Sequence, residues 1–230
     1  ILDENKLPPD LAGSVVIIRA HGISPAAEAE LVKRGARIAD ATCPKVKANQ
    51  LKARSLFEAG YELFLAGEAR HAEIIGILGY APCRTVGGPE EAACAGAALF
   101  KEKPRARAAL LGQTTISPGE YQAIAAAVKV FFPALEVIDT VCGAARDRQR
   151  SLRELCARAE IIIAAGGRDS ANTRRLLAIA RESGREAYQA ESAADLPVEE
   201  LRRHTTAGLC AGASTPDSVI AGIEEKLRSL

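Results

Sequence analysis

Residues 38–44 of this 230-residue chain read IADATCP, and 99 residues later positions 137–143 read VIDTVCG. In both places an apolar strand-like run enters an Asp, two further residues and a cysteine. The match continues downstream: Cys43 precedes Gly67 of LFLAG by the same 24 residues that separate Cys142 from Gly166 of IIIAAGG. Short β-branched runs (SVVIIRA, ARIADA, YELFLAG, RAALLGQ, LEVIDTV, EIIIAAGG, REAYQA, TAGLCAG) alternate with longer amphipathic stretches such as PKVKANQLKARSLFEAG and ANTRRLLAIARESG. That alternation is the mark of βαβ units, in which parallel strands are covered by helices on both faces. The expected fold is therefore α/β with mostly parallel sheets, built as a second lobe over 44–141 and a third over 142–230, with 1–43 as the remnant of a first.

Composition narrows the class. An apolar content of 48% supports a sizeable core, and 30 basic residues against 29 acidic ones, scattered along the chain, leave no basic footprint for nucleic acid or an anionic membrane. No apolar run approaches a membrane span, and the opening ILDENKLPPD has neither the basic start nor the apolar stretch of a signal peptide. A cytoplasmic protein is expected. Its six cysteines then read as free thiols or metal ligands and not as a disulfide framework. The absence of any Met, even at position 1, implies that an N-terminal portion precedes the chain as written.

In open α/β sheets ligands bind beyond the carboxyl ends of strands, where helix N-termini offer free N–H groups. Three junctions, AHGISP, QTTISP and AGASTP, end in a hydroxyl residue followed by Pro, an N-cap and first-turn signature. His21, Thr114, Thr115 and Ser214 should lie just upstream of helix starts. Cys43, followed by Pro44, should sit at or beside another. At such a position thiolate is favoured, and thiolate is the form that acts as nucleophile or metal ligand. A lone cysteine is more often a packed core residue, but two at equivalent strand ends point to a shared centre, iron-sulfur or zinc, that still needs a third ligand. Cys210 is one candidate for it, although its apolar setting suits a core thiol equally. Cys83, Cys94 and Cys156 read as packing residues, and His204 as a surface one. His71 and Glu73 in ARHAEIIG could deliver a proton or could simply form a solvated turn. Ser170 and Asn172 of GGRDSANT suit an oxyanion or phosphate, while N-capping alone would explain one of them.

The segments RAHGIS, DATCPKV, HAEIIGILGY, GQTTIS, DTVCGAARDRQ, GGRDSANTRRL and AGASTP occur in an order that resembles the LytB/IspH family of 4-hydroxy-3-methylbut-2-enyl diphosphate reductases. The resemblance implies three similar lobes around a central cleft, each giving one cysteine to a 4Fe-4S cluster. Cys43 and Cys142 would be two of the three ligands, the third lying in the portion that precedes the chain. Glu73 would deliver a proton to the substrate hydroxyl with Thr114 beside it. His21, His71, Thr115, Ser170, Asn172 and Ser214 would bind the diphosphate. The implied reaction is a two-electron reductive dehydroxylation giving isopentenyl and dimethylallyl diphosphate, with electrons from ferredoxin or flavodoxin.

The chain departs from the family pattern at HAE for His-Pro-Glu, at Ala171 for Ser, and at Ala145 and Cys210 for Thr. Ala171 removes one hydroxyl expected to bind diphosphate. Without the preceding portion the chain is expected to hold a cluster poorly and turn over little. Two other readings stay open: a non-catalytic relative that binds a diphosphate or a partner, and a zinc-binding or thiol-redox α/β protein.

Overall fold

A computed structural model describes residues 7–230. Residues 1–6, which belong to the opening stretch and to the lobe remnant expected over 1–43, lie outside the described residues. The chain divides into two compact units, 1–141 and 142–230.

The first unit runs β1 (Val15–Ile18), α1 (Pro25–Lys33), β2 (Arg37–Asp40), α2 (Pro44–Glu58), β3 (Glu62–Ala66), α3 (Ala72–Leu78), β4 (Arg84–Val86), α4 (Pro89–Glu102), β5 (Ala108–Gly112), α5 (Pro118–Lys129) and β6 (Glu136–Val137). It holds a two-stranded sheet, β1-β2, and a four-stranded sheet ordered β4-β3-β5-β6. The second unit runs α6 (Gly143–Cys156), β7 (Ile161–Ala165), α7 (Ala171–Glu182), β8 (Glu186–Ala190), α8 (Val198–Leu201), β9 (Ala207–Ala211) and α9 (Asp217–Arg228), with one sheet ordered β8-β7-β9. Every strand pair among the described residues is parallel, so the expected α/β class with parallel sheets is what forms.

Burial explains the unbroken apolar runs. On β3, Phe64 and Ala66 face a core shared with α4 and α5, while Leu63 and Leu65 face the opposite core with α2 and α3. On β7, Ile162 packs toward α6 and α7, and Ile161 and Ile163 pack toward α9. A strand covered on both faces needs apolar side chains at every position, and each such Leu, Ile or Phe contributes roughly 1.5–3 kcal/mol.

The repeat holds in register as well as in motif. β7 and β9 occupy the positions of β3 and β5 displaced by 99 residues. Gln113 N donates to Ala66 O at 2.8 Å, and Gly212 N donates to Ala165 O at 2.9 Å. Each central strand ends in a glycine of positive φ, Gly67 at 152° and Gly166 at 141°. A Cβ at Gly166 would fall 2.6 Å from Thr173 Oγ1 and 2.7 Å from Thr215 Oγ1, so this turn excludes side chains on both conformational and steric grounds. By the same displacement Glu73 is equivalent in sequence to Asn172, His71 to Ser170 and Thr115 to Ser214.

Local details differ from expectation in three places. The run LEVIDTV pairs only over Glu136–Val137. The short β4 and the alanine-rich α4 carry too few bulky residues to announce themselves. Thr215 does not cap α9: its hydroxyl donates to Ala165 O at 3.0 Å, and extended Pro216 takes the N-cap.

Candidate active site

The reactive side chains sit where the strands end. After β1 the chain passes through His21 and Gly22 to Ser24, whose Oγ accepts from Ala27 N at 3.1 Å and caps α1. After β2, Asp40 Oδ1 accepts from Thr42 N and Thr42 Oγ1 at 2.9 and 2.5 Å, closing the turn that delivers Cys43. These Thr42 bonds hold the Asp40 carboxyl below its ordinary value. Cys43 N donates to Ala20 O at 3.0 Å, and the residue is the N-cap of α2 with its thiol unengaged in capping. Asp40 recurs as Asp139, each three residues before its cysteine, and that repetition is the sequence signal for this turn-closing carboxylate.

His71 is the N-cap of α3, its Nδ1 accepting from Glu73 N at 3.2 Å. A ring whose Nδ1 accepts carries its neutral-state proton on Nε2. The His21 ring meets that of His71 edge-on, with centroids 5.2 Å apart. Burial, and then the neighbouring Arg19, lower the His21 pKa.

Glu73 is 1% exposed, which rules out a solvated turn for it. Its Oε1 accepts from Thr114 N at 2.8 Å and its Oε2 from Thr114 Oγ1 at 2.7 Å. Burial raises its pKa, and the two Thr114 donors pull the other way. A buried carboxyl kept toward its protonated form, tied to a hydroxyl at the end of β5, is equipped to release a proton. Gln113, beside Thr114, donates from Nε2 to Thr115 Oγ1 at 2.9 Å.

In the second unit Cys142 is the N-cap of α6, again with no capping bond from its side chain. Ser170 Oγ accepts from Thr173 N at 3.3 Å and caps α7. Asn172 Nδ2 is buried with no hydrogen-bond partner among the described residues, and Ser214 is exposed in the turn after β9. Ala171 and Ala145 are both buried. Cys210 is partly buried against the core that holds Leu152, Cys156 and Leu176, and burial pushes its thiol up to about 12. Cys83 is likewise raised to about 12, Cys156 is buried and Cys94 exposed. His204 pairs with Glu186 at 3.1 Å.

All six cysteines are free. Cys43 and Cys142 fit a soft metal centre in donor chemistry, because each thiol stands at a helix N-terminus and is not spent on a cap. Among the described residues no group of three or more His, Cys, Asp or Glu is assembled for a metal, so these two thiols alone do not complete one. Nor is any helix among them long and apolar enough to cross a membrane.

Fold and site together define a parallel α/β protein that carries paired imidazoles, a buried acid and cysteines at helix N-termini where its strands end. Sequence comparison gives that class its family. The LytB protein family matches residues 1–228. A 4-hydroxy-3-methylbut-2-enyl diphosphate reductase of Treponema denticola is 41% identical over 95% of this chain and 75% of its own length. That of Aquifex aeolicus is 36% identical over the same shares, and that of Treponema pallidum strain Nichols is 40% identical over 93% of this chain and 61% of its own. Among solved structures, the E-1-hydroxy-2-methyl-but-2-enyl-4-diphosphate reductase of Plasmodium falciparum superposes with a TM-score of 0.86 at 26% identity, covering 100% of this chain and 70% of that one. A second, titled as the terminal enzyme of the non-mevalonate pathway, gives 0.62 at 34% identity, covering 95% and 77%. The chain belongs to the LytB family.

Proposed function

We propose that this chain is a 4-hydroxy-3-methylbut-2-enyl diphosphate reductase, acting in the cytoplasm with ferredoxin or flavodoxin as electron donor. The observation that carries the reading is the buried Glu73–Thr114 pair next to His71, in a chain of this family. The reaction consumes two electrons and two protons, breaks the C–O bond of the allylic hydroxyl, and releases water with isopentenyl or dimethylallyl diphosphate.

Glu73 holds the proton for the leaving hydroxyl. Thr114 Oγ1, which donates to Glu73 Oε2 at 2.7 Å, relays it once its O–H turns toward substrate and the protonated carboxyl donates in its place. His71 Nε2–H and His21 bind diphosphate oxygens, as do Thr115, Ser170, Asn172 and Ser214 through short hydrogen bonds. The unpartnered Asn172 Nδ2 supports a donor role, because a buried amide without a partner is unfavourable until a ligand supplies one. Cys43 and Cys142 would hold a 4Fe-4S cluster together with a third ligand from outside the described residues. When bound, such a cluster supplies the electrons and a Lewis-acidic iron.

The test is to purify the protein without oxygen, measure bound iron, sulfide and zinc, and assay the allylic diphosphate with a one-electron reductant. Iron, sulfide and the two isoprenoid diphosphates support the reading. Colourless protein with bound zinc supports the thiol-redox alternative, and diphosphate binding without turnover supports a non-catalytic relative.

A further inference from the structure

Gln50 is fully buried, with 0% of its surface exposed, yet neither atom of its carboxamide has a hydrogen-bond partner among the described residues. It lies on α2, seven residues beyond Cys43. The equivalent position of the second unit, seven residues beyond Cys142, is again a buried glutamine, Gln149, at 1%. A helix position that only filled a core would hold Leu or Met, since an amide there forfeits its hydrogen bonds to water.

The surroundings of Gln50 say what the amide serves. A Cβ at Gly22 would fall 2.5 Å from Gln50 Nε2, and one at Gly76 would fall 3.1 Å from the same atom and 3.6 Å from His21 O. Gln50 therefore slots between two glycines. Gly22, at φ +69°, follows His21 directly in the turn after β1. Gly76 lies on α3, whose N-cap is His71 and whose first turn carries Glu73. The carboxamide is inserted between the segment that carries one imidazole and the helix that carries the other. The two rings meet edge-on at 5.2 Å, so a small movement of the turn against α3 changes where both nitrogens point.

We propose that Gln50 is a positioning residue for the His21–His71 pair, holding its amide in reserve for the His21–Gly22 turn, which it hydrogen-bonds when the pair closes on a diphosphate. The inference rests on the reading of His21 and His71 as diphosphate ligands. It predicts opposite signs for stability and binding. Loss of an unpartnered buried amide leaves the free protein as stable or more so, while loss of the bond formed on closure weakens the complex. A residue that merely supports the core would lower both together.

The experiment uses the 230-residue chain, inorganic pyrophosphate as probe, and the imidazole resonances of its three histidines, with His204 as internal reference. Wild type is compared with Gln50→Met and Gln50→Leu. The expected result is a melting temperature at or above wild type in at least one variant, at least tenfold weaker pyrophosphate binding, and altered His21 and His71 signals with His204 unmoved. Wild-type affinity in a folded variant overturns the proposal, and so does a parallel fall of melting temperature and affinity in both. If wild type itself ignores pyrophosphate, the diphosphate reading fails on its own, and the histidine signals still decide the role of Gln50. His21 and His71 resonances unchanged in the variants would then refute it, and changed ones would sustain it.

Discussion

Thr114 grips both oxygens of the buried Glu73 carboxyl, from its backbone N–H at 2.8 Å and its hydroxyl at 2.7 Å. The acid is thereby fixed to the end of β5 instead of swinging on its own helix. Replacing Glu73 by Gln preserves shape and one of the two contacts but removes the transferable proton. In the iron-sulfur-loaded enzyme, E73Q is expected to lower turnover by at least about 100-fold while iron content and melting temperature stay near wild type. Activity within a few-fold of wild type would remove Glu73 from the mechanism.

The same pair sets a pH dependence. Burial raises the Glu73 pKa, so the folded protein binds this proton more tightly than the unfolded chain does. Its contribution to stability is fully present below the unfolded value of about 4.3 and is lost as pH rises through the higher folded value. Wild-type stability minus that of E73Q should therefore fall with rising pH. Thr114→Val removes one donor that favours the carboxylate, so the fall should extend to higher pH. That variant should also cost about 1–3 kcal/mol at neutral pH, because a buried acceptor loses its partner. Thermal melts of the three proteins across the acid range check both signs.

His71 caps α3 through Nδ1 and, in the proposed function, binds diphosphate through Nε2, and two substitutions separate these tasks. His71→Asn keeps a short acceptor for Glu73 N, whereas His71→Ala loses the cap at about 1 kcal/mol. Only the alanine variant should melt lower, but both should bind pyrophosphate more weakly than wild type by calorimetry.

Ala171 is buried at the first turn of α7, between Ser170 and Asn172. Ala171→Ser adds a hydroxyl there without disturbing the Ser170 cap. If these residues bind diphosphate, the extra charge-assisted hydrogen bond should tighten pyrophosphate binding roughly tenfold to a hundredfold. Unchanged affinity would place the diphosphate elsewhere.

Gly166 and Gly143 give a matched test of the strand-end turn. Gly166→Ala must fit a Cβ against two threonine hydroxyls at a φ of 141°, and should cost about 1–3 kcal/mol or more. At Gly143 a Cβ meets nothing within 4 Å, so Gly143→Ala should leave the melting temperature unchanged.

Much of the fold could be read from periodicity because burial on both faces writes it into the chain: IIIAA and ELFLA are apolar without a break since helices cover each side. The short β4 and small-residue α4 carry no such signal, because three residues cannot show a period and alanine announces no face. The strand-end residues were legible by type and place. Their pairing was not, since Glu73 and Thr114 are 41 residues apart and only the parallel pairing of β3 with β5 joins the segments that carry them. Thr215 went astray because an available carbonyl, Ala165 O, outcompeted the helix start for its hydroxyl.

By itself the sequence determined the alternation of strand and helix, the repeat that makes Cys43 and Cys142 equivalent positions, and the glycines that end the central strands, because each depends on neighbours a few residues away. Only the tertiary structure decided that Glu73 is a buried acid held by Thr114, that His21 and His71 meet edge to edge, that Cys210 packs against the core of α6 and α7, and that Gln50 fills the slot between Gly22 and Gly76. Those are contacts between segments far apart in the chain. Their free energies depend on desolvation and on distances that no local pattern encodes.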